Sequence, residues 1–129
     1  MTARSCHRIM IAGACLLLGG TAVAAELPIT ASYGDEDGCA YALTGESSGS
    51  DEFFLLTKDA VTTAVAHCTF LEVRPRSDKV FDVTAQCEEE GWTDDLAPFE
   101  IEIKPVEPES YILNIDGGFS QWGPLALCK

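Results

Sequence analysis

The sequence predicts a mainly β fold: a small antiparallel sandwich or barrel with at most one short helix and two disulfides. Three observations carry the expectation. The dominant hydrophobic period is two, turn-forming clusters separate short apolar runs, and the cysteines that follow an N-terminal leader form an even set.

The clearest strand is Phe99-Glu100-Ile101-Glu102-Ile103, whose strict alternation turns Phe99, Ile101 and Ile103 inward and both glutamates outward. Residues 80–87 alternate too, with Phe81, Val83, Ala85 and Cys87 on one face and Asp82, Thr84 and Gln86 on the other. Residues 67–73 form a further strand, residues 111–115 another that stops at Asp116-Gly117-Gly118, and residues 53–57 a short apolar run. Residues 39–43 and 125–128 are weaker strand candidates. The one helical hint is residues 59–66, rich in Ala, Val and Thr, with Thr57 as its N-cap, although β-branched residues are poor helix formers. Turns are expected at residues 45–50, 75–79, 91–98, 105–110 and 117–123. No internal repeat or linker divides the chain, so residues 26–129 are expected to form a single domain.

Residues 1–25 read as a secretory signal peptide, with an uncleaved N-terminal anchor as the rival reading. Arg4 and Arg8 form the basic region, residues 9–18 an uncharged apolar run, and Ala22-Val23-Ala24-Ala25 a small-residue cleavage site. The apolar run falls short of the roughly 20 residues that span a bilayer. Cys15 is no lipid anchor, because Leu16-Leu17-Leu18 still follows it. A leader of this kind implies a periplasmic protein or, alternatively, a secreted one. Its removal takes away Arg4 and Arg8, leaving six basic residues against 21 acidic ones, and moves the formal charge from −13 to −15.

Cys39, Cys68, Cys87 and Cys128 remain. In an exported chain of this size they read as a disulfide framework. Gaps of 28, 18 and 40 residues lack the close pairs of zinc sites, and the absence of a CxxC removes thioredoxin-like chemistry. Four cysteines allow three pairings. The preferred one rests on a hairpin about Pro75-Arg76-Ser77-Asp78-Lys79, which sets Cys68 opposite Cys87 and leaves Cys39 to tie the start of the domain to Cys128.

The acidity excludes the basic footprint that nucleic-acid binding requires. His67 is the only histidine after the leader. With no G-x-S-x-G elbow, and with Cys68 beside it expected in a disulfide, it reads as a strand residue on the surface. Asp35-Glu36-Asp37-Gly38 fails the EF-hand pattern, since Cys39 stands where the third oxygen ligand belongs, and reads as a solvated acidic turn. No metal or other cofactor is implied. The candidate site is Glu88-Glu89-Glu90-Gly91-Trp92-Thr93-Asp94-Asp95. Trp92 among Glu88, Glu89, Glu90, Asp94 and Asp95 reads either as a core residue within a solvated loop or as an aromatic anchor ringed by one sign of charge, a patch for a cationic partner. Trp122 is a second aromatic, for which core packing is the simpler reading.

Phe54-Leu55-Leu56-Thr57-Lys58, His67-Cys68-Thr69-Phe70, the run from Val83 to Trp92 and the cysteine next to the C-terminus together resemble a group of small exported bacterial proteins. That group is built as L-T … C-x-F … V-x-A-x-C … G-E-G-x-x-W … C and has no assigned activity. The resemblance covers residues 39–128 and implies structural disulfides and no catalytic residue. The chain departs from the pattern where Trp92 directly follows Gly91. Ser48-Gly49-Ser50 is also similar to a loop of periplasmic lysozyme inhibitors, but the aromatic and Lys-Gly residues that should follow are absent, so no site is carried over. The expectation is an exported, acidic, non-catalytic binding or inhibitor module for a cationic envelope or lysozyme-like protein. The alternatives are a structural envelope protein without a dedicated site and a small hydrolase using paired carboxylates.

Overall fold

The computed structural model describes residues 25–89 and 97–129. Eight antiparallel strands, each paired with its sequence neighbour, close into a barrel: β1 (Tyr33–Gly34), β2 (Phe54–Leu56), β3 (Ala60–Thr63), β4 (Ala66–Pro75), β5 (Phe81–Glu89), β6 (Phe99–Val106), β7 (Ser110–Ile115) and β8 (Ser120–Leu127). β1 closes the ring by pairing with both β2 and β8. A closed barrel has no free strand edge, and this one satisfies the expected fold class.

Alternation fills the interior. Val61, Cys68, Phe70, Val83, Ala85, Ile101, Ile103 and Leu113 are all buried, and the residues between them face outward. Glu100 and Glu102 lie on the outer wall as their pattern requires. There Arg74 engages Glu72, Thr84 and Glu100, while Arg76 engages Asp82 and Glu102. Asn114 Nδ2 donates to Glu102 at 2.9 Å, and Gln121 Nε2 donates to Asn114 Oδ1 at 2.9 Å, so this polar ladder crosses five strands. Its hydrogen bonds hold the Glu102 carboxyl below the usual carboxylate range, through Asn114 first and Arg76 second.

Both disulfides are present. Cys68 pairs directly opposite Cys87 in the β4–β5 hairpin, and Cys39 joins Cys128 across 89 residues of sequence.

The helix lies elsewhere than the sequence suggests. Residues 59–66 contain β3 and the tight turn into β4, not a helix. Val61-Thr62-Thr63 pairs with β2 and β4, where β-branched side chains pack well. Thr57 is therefore not an N-cap; its Oγ1 donates to Asp59 Oδ1 at 3.1 Å inside the β2–β3 turn. The helix is α1 (Glu36–Thr44), which absorbs the strand expected at residues 39–43. The acidic run Asp35-Glu36-Asp37 is correspondingly not a solvated turn but the N-cap and first turn of α1. Asp35 Oδ1 accepts from Gly38 N at 2.7 Å and from Phe54 N at 3.2 Å, so one carboxylate caps the helix and fastens it to β2. Gly38 is required at the contact, because a Cβ there would lie 1.9 Å from the Phe54 carbonyl oxygen. Gly45, at φ 72°, ends the helix in the left-handed region. β8 also begins earlier than residue 125: the turn after β7 closes by Phe119, and Ser120 already pairs with Ile115.

Candidate functional site at the barrel mouth

The two ends of the barrel are built differently. At one end residues 25–32 cross the opening. Leu27 is buried to 3% exposure and its N–H donates to the Lys58 carbonyl at 2.6 Å, while Glu26 pairs with Lys58. Tyr33 and Tyr111 meet edge to face at 4.7 Å in the same region, and burial raises the Tyr111 phenol above its ordinary pKa of 10.0. This end is plugged.

The other end carries a cavity of about 430 Å³. The Cys68–Cys87 bridge, Phe99, Ile115 and Trp122 form its apolar wall. Trp122 is half-buried, lies opposite Leu113 in the β7–β8 register and packs on Phe54 with ring centroids 5.3 Å apart, at the edge of the core and on the cavity wall. Two apolar side chains stand exposed at the rim: Phe119 at 91% and Val65 at 65%. Phe119 is held out by the β7–β8 turn, in which Asp116 N donates to the Glu100 carbonyl at 2.9 Å and Asp116 Oδ1 accepts from Glu100 N at 3.2 Å.

Glu89 and Asp116 are the carboxylates at this rim, and neither has a basic partner among the described residues. Glu88 and Glu89 end β5 and, by strand alternation, point to opposite sides of the wall: Glu89 to the cavity, Glu88 to the outer surface. Of the candidate site at residues 88–95, these two are thereby placed. Glu90, Trp92, Asp94 and Asp95 lie outside the described residues. Phe119 and Val65 escape sequence reasoning, since an isolated apolar residue in a turn carries no signal until the turn is placed at a cavity. His67 is exposed on β4, its Nδ1 2.9 Å from Thr62 Oγ1.

An apolar concavity with exposed anchors and unpaired carboxylates can bury an aliphatic or aromatic group while attracting positive charge. Among the described residues no group of three or more His, Cys, Asp or Glu side chains is arranged to hold a metal, and no helix is long and apolar enough to cross a membrane. Compared with models of known families, with curated proteins and with solved structures, the chain has no match. Its function is therefore read from geometry.

Proposed function

We propose that this protein is an exported, acidic, non-catalytic binding module that takes a cationic protein, such as a lysozyme-like enzyme, at the barrel mouth. The observation that carries the reading is the mouth itself, where Phe119 and Val65 are solvent-exposed beside Glu89 and Asp116, carboxylates without a cationic partner among the described residues. Two disulfides and an N-terminal leader pattern support export to the periplasm, with secretion as the alternative destination. In sequence, Glu88 and Glu89 belong to a run of five carboxylates with Glu90, Asp94 and Asp95, and that density of one charge sign supports a cationic partner.

Calorimetric titration against a c-type lysozyme and other basic envelope proteins, at low and high salt, tests the reading. Binding that weakens with salt and is lost in Phe119→Ser supports it. Absence of any salt-sensitive partner overturns it in favour of a structural envelope role. Hydrolytic turnover abolished by Glu89→Gln and Asp116→Asn would favour the paired-carboxylate enzyme instead.

A further inference from the structure

The mouth has a neighbour on the outer wall. A second concavity, of about 260 Å³, lies between α1 and the outer faces of β3, β4 and β5, lined by Tyr41, Phe53, Thr62, His67 and Glu88. Tyr41 and Phe53 stack at 5.3 Å and form its apolar side, and Glu88 is its one carboxylate. The two concavities share Thr63, Val65 and Ala66, the turn between β3 and β4, so exposed Val65 is a ridge with a hollow on each side. Each hollow receives one of two consecutive glutamates, Glu88 outside and Glu89 inside, because neighbouring residues of a strand face opposite ways. Among the described residues neither glutamate has an ion-pair partner, whereas Glu72, Asp82, Glu100 and Glu102 on the outer wall pair with Arg74 or Arg76.

We infer that the partner's contact element is a turn of a basic protein that straddles the Val65 ridge, setting one arginine or lysine against Glu88 and another against Glu89 with an apolar side chain between them. The inference rests on the proposed binding function and specifies its epitope. Charge complementarity selects the occupant: two unpaired carboxylates on either side of an apolar ridge match alternating basic, apolar and basic side chains.

The test uses isotopically labelled protein, purified as the cell processes it, titrated with Arg-Leu-Arg amide and followed through backbone amide shifts. The expected result is a single isotherm with shifts on both sides of the ridge, at His67 and Glu88 and at Glu89 and Phe119. Glu88→Gln and Glu89→Gln should each weaken binding about two- to fivefold, the range that an exposed ion pair supports. Shifts confined to Glu89, Asp116 and Phe119, with Glu88→Gln neutral, overturn the straddling epitope and leave the mouth reading standing. Shifts in neither hollow overturn both.

Discussion

The plugged end and the mouth of this barrel use the same materials in opposite ways. Both hold aromatic residues and carboxylates. At the plugged end the aromatics meet each other, Leu27 fills the opening and Glu26 finds Lys58. At the mouth Phe119 and Val65 face solvent, and among the described residues Glu89 and Asp116 pair with no cation. Apolar area buried at the first end contributes to folding, whereas at the second Phe119 and Val65 contribute little to it. On the proposed function, one end of this barrel serves stability and the other serves binding.

The sharpest way to break the comparison is at the bridges. Replacing Cys39 and Cys128 by Ala, which unties α1 from the chain end beyond β8, should cost about 4–5 kcal/mol, against about 3 kcal/mol for Cys68 and Cys87, because a longer closed loop restrains the unfolded chain more. Their sequence separations are 89 and 19. Urea unfolding of the two double variants checks the order, and a larger loss at the mouth bridge would reverse it.

Next in size, Leu27→Ala should lower stability by about 3 kcal/mol, since it leaves a cavity where the plug was. Gly38→Ala follows at about 1–3 kcal/mol, because the added methyl must push α1 away from the Phe54 carbonyl. Thermal unfolding reads both. If Leu27→Ala is neutral, residues 25–32 do not plug the barrel.

Stability should also fall at both extremes of pH, each limb reporting a different region. Glu102 titrates lower when folded than when unfolded. Its contribution is complete above the ordinary carboxylate value and is lost as pH falls through the folded one, and Asn114→Ala should flatten that acid limb. Tyr111 titrates higher when folded, so the unfolded chain releases this proton first and stability declines as pH rises past about 10. Tyr111→Phe should remove that decline at the plugged end. The smallest effect belongs to Phe119→Ala, which should change stability by no more than about 0.5 kcal/mol while weakening partner binding. Equal losses from Leu27→Ala and Phe119→Ala would erase the distinction between the ends.

The strands were legible wherever one face is buried and the other wet, because that environment writes a period of two into the sequence. Phe99 to Ile103 and Phe81 to Cys87 are such stretches, and the latter also located the Cys68–Cys87 hairpin. α1 was illegible by periodicity: its nine residues include Gly38, chosen for close approach to β2, and its apolar residues form no stripe. Asp35 as cap, Glu36 and Asp37 in the first turn and Gly45 at the end were its only local signature. β1 was missed because two residues are too few to show any period. Of the site, Glu88 and Glu89 stood out by charge, while Phe119 and Val65 did not stand out at all.

The sequence by itself determined the β character, the inward and outward faces of the long strands, the acidity and an even set of cysteines, since each depends only on residue type and local spacing. Tertiary structure decided that the sheet closes into a barrel, that a helix rather than a turn follows β1, and that, among the described residues, Leu27 fills one end while the other carries a cavity. Those outcomes depend on which residues meet across tens of positions of chain. Leu27 becomes a plug only because Lys58 waits at that end, and Phe119 becomes a candidate anchor only because its turn stands over the cavity.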